Sequence, residues 1–227
     1  MSLALATRLT LKVADDIEVS ALLLRAVDER ACLTLGHGAG AGMEHPSMAS
    51  LSEDLASRGL SSLRFQFPYM ERGSKRPDPP ALCHATVRSA VVAAGTLLPK
   101  TPLFAAGRSF GGRMSSQAQA LAPLPEVRGL VFFAFPLHPA DKPGIERADH
   151  LAKIRVPMLF LQGTRDALAT LPLLDGVIVS LGVNATLKRL EGADHAFHVP
   201  ARAARGAKDI RADMLEALVS WLDPLSR

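Results

Sequence analysis

Apolar positions recur with changing period along this chain, and the changes predict strands alternating with helices. Thr7–Val13 and Ile17–Arg25 read as two strands joined by Ala14-Asp15-Asp16 in a hairpin-like start. Ala31–Leu35 is a short apolar run ending in glycines. Ser47–Arg58 sets Met48, Leu51 and Leu55 at helical spacing, with Pro46 suited to the start and Gly59 to the stop. Leu60–Phe67 alternates as a strand, and Pro80–Leu98 is a long helix bounded by prolines. Pro102–Ala106 reads as a compact buried strand and Phe110–Leu121 as a helix rich in small residues. Val127–Phe135 and Val156–Gln162 are nearly continuous apolar runs, the pattern of strands buried on both faces. Leu168–Leu181 predicts a helix, Ala185–Leu190 a last strand, and Ala207–Leu222 a closing helix with Met214, Leu218 and Leu222 on one stripe.

Strands separated by helical stretches predict an α/β class with a mostly parallel sheet covered on both faces. The segment Pro68–Pro80 carries four prolines and five charges, so it is expected to be ordered by stiffness rather than by regular structure. No repeat or linker interrupts the pattern, and 227 residues suit one domain over 1–227. Hydrophobic residues make up 48% and charged residues 21%, which argues against disorder. The net charge of +4 is spread without a dense basic block, and one Trp and one Tyr leave little for bases to stack on, so nucleic acid is not expected as a partner. Cys32 and Cys83 lie 51 residues apart, outside any C-x-x-C pair, and no metal site is expected. The first residues lack a basic start followed by a long apolar stretch, and no apolar run approaches a membrane span. A cytoplasmic protein with reduced thiols and no membrane contact is expected. No oligomeric state can be read from the pattern.

The strongest chemical signal is Gly107-Arg108-Ser109-Phe110-Gly111, between a predicted buried strand and a predicted helix. That context makes G-x-S-x-G a candidate nucleophile elbow rather than a chance loop. A serine on so tight a turn has a strained backbone, and Gly107 and Gly111 give the chain room to pass. The serine needs a base, expected later in the chain and after an acid. Only His195 and His198 follow the last predicted strand, and His195 sits just beyond a glycine turn, so it is the preferred base. His37, His45, His84, His138 and His150 precede the candidate acid and read as packed or exposed residues. Asp166 is the candidate acid, since it follows Val156–Gln162 at the carboxyl end of a parallel strand, where crevices form. An Asp there also suits a helix N-cap. Asp175 falls inside a predicted helix, and Asp194 adjoins the base and is badly placed to reach back. Oxyanion donors are expected from the backbone N–H of Phe110 and from the loop Gly36–Gly42, with Ala39 first and Gly38 next. Four glycines in seven residues, Gly38 and Gly40 among them, read as freeing that backbone to approach a substrate oxygen; their spacing is not G-x-G-x-x-G, and a plain glycine-rich turn is the competing reading.

These features resemble the α/β-hydrolase superfamily. Gly36–Met43, Phe67-Pro68-Tyr69-Met70-Glu71, Pro77-Asp78-Pro79-Pro80 and Gly107–Met114 resemble the small branch related to dienelactone hydrolases. That branch also holds a testis-expressed eukaryotic relative and a subunit of a chromatin acetyltransferase complex. The resemblance implies an eight-stranded, mostly parallel sheet, a Ser109–Asp166–His195 triad, and oxyanion donors at Ala39 and Phe110. Dienelactone hydrolases proper use a cysteine nucleophile, whereas this chain has Ser109, so their substrate does not carry over; Cys32 and Cys83 read as packing residues.

Only 20 residues separate Phe135 from Val156, too few for a cap domain, so an open cleft with at most one short helix near Glu146–Ile154 is expected. Arg72, Lys75 and Arg76 read first as solvated loop charges and second as an attraction for a carboxylate-bearing ester. Arg108 and Arg113 are candidates to pin the loop through Glu71 or Asp78. The expectation is a serine hydrolase, of carboxylesterase or thioesterase type, acting on small esters or thioesters through an acyl-enzyme, with no cofactor. The alternative from another class is a non-catalytic interaction module that keeps the fold; a peptidase of the same fold is a third.

Overall fold

The computed structural model describes residues 6–200 and 206–226; the first five residues of the N-terminal stretch read above lie outside them. The strands are β1 (Thr7–Ala14), β2 (Ile17–Leu24), β3 (Ala31–Gly36), β4 (Leu60–Phe65), β5 (Leu103–Arg108), β6 (Val127–Phe133), β7 (Met158–Gly163) and β8 (Ala185–Leu190). The helices are α1 (Pro46–Ala56), α2 (Pro68–Glu71), α3 (Pro80–Leu97), α4 (Phe110–Leu121), α5 (Leu171–Leu181) and α6 (Ala207–Leu222), with a 3-10 segment at Glu146–Lys153.

One eight-stranded sheet runs in the order β1-β2-β4-β3-β5-β6-β7-β8. β2 is antiparallel to both its neighbours, and every pair from β4 through β3 to β8 is parallel. The central strands β3 to β7 are buried at nearly every position because both faces are covered. In β6, Leu130 and Phe132 face the layer formed by α3, α4 and α5, while Val131 and Phe133 face α1 and α6. β7 divides likewise, with Met158 and Phe160 on the first face and Leu159 and Leu161 on the second. Burying each such Phe side chain contributes about 2 kcal/mol. The loops that follow β3, β5, β7 and β8 therefore emerge at the shared carboxyl end of the parallel strands, where such sheets form their crevices.

Several boundaries differ from the sequence expectation for local reasons. β4 stops at Phe65; the Gln66 side chain accepts the Met43 N–H at 2.8 Å, and the Phe67 N–H goes to His37 Nε2 rather than to a strand neighbour. Pro68 then opens the one-turn α2, which corrects the expectation that Pro68–Pro80 lacks regular structure. Glu71 ties that turn to β2 by accepting both the N–H and the hydroxyl of Ser20. β6 stops two residues early, where Ala134 takes φ 60°. α5 begins at Leu171 rather than Leu168, because the intervening backbone serves other groups: Leu168 N–H bonds Asp166 and Thr170 N–H bonds His138.

Candidate active site

Ser109 sits between β5 and α4 with φ 50° and ψ −113°, outside the ordinary helix and strand regions. Its N–H donates to Phe133 O at 3.0 Å, and its carbonyl accepts the Arg113 N–H, so both neighbouring elements hold the strain. The flanking glycines are obligatory here. A Cβ on Gly107 would stand 2.2 Å from Gly112 N, and one on Gly111 would stand 2.3 Å from Gly36 C. The elbow thus packs against the end of β3 as well as on itself. Phe110 opens α4, so its backbone N–H belongs to the first turn, which has no partner within the helix.

The structure brings the other two candidate residues to this serine. His195 Nε2 lies 2.8 Å from Ser109 Oγ, and His195 Nδ1 lies 2.7 Å from Asp166 Oδ2. Asp166 follows β7, and its side chain is wholly buried. A carboxylate only accepts, so Nδ1 carries the proton and the Nε2 lone pair faces the hydroxyl. The N-cap alternative for Asp166 is not what is found: Thr170 precedes the first turn of α5, while Asp166 Oδ1 accepts Leu168 N–H inside the preceding turn. His198 is instead a surface residue, 78% exposed in its side chain. Asp194 scaffolds the His195 loop, its Oδ1 accepting the N–H groups of Ala196 and His198. Asp175 lies in α5 and pairs with Arg189.

Two residues around the acid were not singled out in the sequence. Gln162 is fully buried in β7; its Nε2 donates to Asp166 Oδ2 at 2.5 Å and its Oε1 accepts the Phe135 N–H at 2.9 Å. The second bond fixes which end of the amide faces the acid. A lone amide in the apolar run Met158–Gly163 was the available signal. Gly163 is the other. A Cβ there would stand 2.3 Å from Ala193 O and 2.7 Å from Asp194 O, so the bare backbone of β7 lets the His195 loop lie down on it.

Ala39 lines the cavity that Ser109 opens into, about 360 Å³ in volume. Its carbonyl accepts the Tyr69 hydroxyl at 3.0 Å, which anchors the loop after β3. His37 anchors it again. Its Nδ1 donates to Gly38 O at 2.8 Å and its Nε2 accepts the Phe67 N–H at 3.0 Å, while burial pushes its pKa down from 6.5 to about 4. Gly38 and Gly40 are not crowded by neighbouring protein atoms. A Cβ on Gly38 would approach nothing closer than 3.9 Å, and one on Gly40 nothing within 4 Å. The crowded glycines of this loop are Gly36, where a Cβ would stand 3.1 Å from Gly111 Cα, and Gly42, packed on the Gln66 amide.

The arginines also fall differently. Arg108 does not reach Glu71 or Asp78; it donates to Ser47 Oγ and to Ala196 O beside the base. Asp78 is held by Arg72 at 2.5 Å, so Arg72 is an ion-paired loop charge rather than a free one. Arg113 stacks its guanidinium over Phe110 at 5.8 Å. Cys32 and Cys83 are buried free thiols, each pushed up to about 12 chiefly by burial. Among the described residues no group of three His, Cys, Asp or Glu side chains is placed to hold a metal ion, and no helix is long and apolar enough to cross a membrane.

Residues 29–223 match the family described as alpha/beta hydrolase domain. Among solved structures, the chain is similar to a lidless α/β serine hydrolase of Xanthomonas campestris, at 19% identity and TM-score 0.74, covering 96% of this chain and 95% of that one. It is similar to the dienelactone hydrolase of Anabaena variabilis at 17% identity and TM-score 0.75, covering 97% and 98%. It is also similar to the esterase domain of a Rhodothermus marinus protein at 16% identity and TM-score 0.71, covering 96% and 97%. At these identities the likeness is one of fold. With 29–223 matched, the chain belongs to the α/β hydrolase superfamily.

Proposed function

We propose that the chain is a serine hydrolase of small esters or thioesters, working through an acyl-enzyme on Ser109. The observation that carries this reading is the continuous relay Ser109 Oγ, His195 Nε2 at 2.8 Å, and His195 Nδ1 to Asp166 Oδ2 at 2.7 Å. His195 takes the serine proton as Oγ attacks the substrate carbonyl. Asp166 holds the ring in the required tautomer and stabilises the imidazolium that forms. The N–H groups of Ala39 and Phe110 donate to the oxyanion, each contributing about 10²–10³ in rate when such donors are well aimed. His195 then returns the proton to the leaving oxygen or sulfur. Water, deprotonated by the same imidazole, releases the acid and regenerates the serine. The chain acts as one domain, in the cytoplasm, with no cofactor or metal in this scheme.

A fluorophosphonate probe followed by peptide mapping tests the reading. Wild type should be labelled on Ser109, while Ser109→Ala and His195→Ala should lose labelling together with turnover of short nitrophenyl esters. A folded wild type that is neither labelled nor active would overturn the reading and leave the interaction module in its place.

A further inference from the structure

A second cavity, about 300 Å³ in volume, shares no wall residue with the one that Ser109 opens into. It lies between α1, α6 and the three residues that follow His195. Its volume is at the small end of the range for ligand sites, about 300–1,000 Å³. Leu51, Phe133 and Met214 are buried core residues and form an apolar floor. Lys208 and Arg211 stand on its α6 side, Lys208 exposed and the Arg211 side chain 39% exposed, so the cationic end is the end that solvent reaches. Among the described residues no carboxylate lines the cavity, and while Arg211 is paired with Asp54, Lys208 makes no ion pair among them. The rim is therefore left positive, and an apolar floor beneath a positive rim is the complement of an anionic head on a hydrocarbon tail. The same wall is tied to the candidate base. Ala196, Phe197 and His198 line it, Arg108 spans from Ser47 Oγ in α1 to Ala196 O, and Phe197 holds φ 63°, which strains a residue with a side chain. A ligand seated against Phe197 selects the loop conformation that shapes the cavity, and in that conformation His195 Nε2 is 2.8 Å from Ser109 Oγ.

We propose that this cavity is an effector site for a medium-chain fatty-acid anion, with the carboxylate at Lys208 and Arg211 and the chain against Phe197, and that its occupancy holds the His195 loop in place. The bound acid touches neither Ser109 nor the cavity beside it. Only the labelling arm of the test rests on Ser109 being the nucleophile.

Calorimetric titration of Ser109→Ala with octanoate at low salt reads the site without turnover. Hexanoate should bind about tenfold more weakly for its missing methylenes, and octylamine, with the same chain and the opposite charge, should bind more weakly still. Lys208→Glu, on the exposed first turn of α6, should weaken octanoate about tenfold. Arg147→Glu, which reverses a charge in the cavity beside Ser109, should leave octanoate binding unchanged. Octanoate binding that survives Lys208→Glu and is lost in Arg147→Glu would move the acid to the cavity beside Ser109 and overturn the site, as would absent binding or equal binding of octylamine. In wild type, saturating octanoate should speed fluorophosphonate labelling severalfold, and Lys208→Glu should need about ten times more octanoate for the same gain. An acid lodged beside Ser109 would slow labelling instead. Slower or unchanged labelling with Lys208-dependent binding intact would overturn the coupling to His195. A wild type that the probe never labels would sink the nucleophile reading, and the calorimetric arm would still decide the site.

Discussion

Acid should weaken the fold through one imidazole beneath the candidate oxyanion loop. His37 is wholly buried, donates from Nδ1 to Gly38 O and accepts the Phe67 N–H at Nε2. A second proton would sit on Nε2 and point at an N–H group, in a site with no carboxylate to balance the charge among its recorded partners. Burial accordingly lowers its pKa from 6.5 to about 4, the backbone bond to Gly38 opposing this only in part. The unfolded chain binds the proton below pH 6.5 and the folded chain resists it to about 4, so stability falls as pH drops through that window. Between pH 7.5 and pH 4.5 this one group removes about 2–3 kcal/mol. For a chain of this size that is a fall of about 5–10 °C in Tm. The assay is urea unfolding of wild type and His37→Gln at both pH values. The amide can still accept the Phe67 N–H but does not titrate, and the other histidines are common to both proteins and cancel. Wild type should lose about 2–3 kcal/mol more than the variant. Equal losses would refute the argument, because they would mean His37 has the same pKa folded and unfolded.

Two substitutions test the support of the acid and base. Gln162→Leu leaves the Phe135 N–H unpaired and removes one donor from Asp166, so it should cost about 2–4 kcal/mol in stability and lower kcat more than it changes KM, as seen in denaturant titration and ester kinetics; a stability loss with kcat intact would limit Gln162 to folding. Gly163→Ala puts a methyl group within 2.3 Å of Ala193 O, so it should push the His195 loop away, lower fluorophosphonate labelling at least tenfold and leave Tm changed by only a few degrees.

The layered fold was legible because it rests on burial, and burial writes itself into runs such as Val127–Phe135. Strand ends were less legible, because they depend on single residues finding partners far along the chain: Gln66 reaches Met43, and Ala134 turns with a positive φ that no composition rule predicts. At the candidate site, the serine, acid and base were named from order and spacing, which the elbow geometry constrains. The supports were not. Gln162 reaches Phe135 across 27 positions, and Gly163 meets Ala193 across 30, contacts that exist only once β6, β7 and the loop after β8 have packed. A string of glycines likewise does not say which ones the protein crowds: Gly36 and Gly42 are crowded, Gly38 and Gly40 are not.

The strand order has a consequence for the time at which reactivity arises. Ser109 is seated by β3, β5 and β6, all supplied by the first 133 positions, whereas the candidate base and the candidate acid come from beyond residue 160. Under the proposed mechanism, a chain synthesised only that far lacks both groups that would activate the hydroxyl, and reactivity waits for the last edge of the sheet.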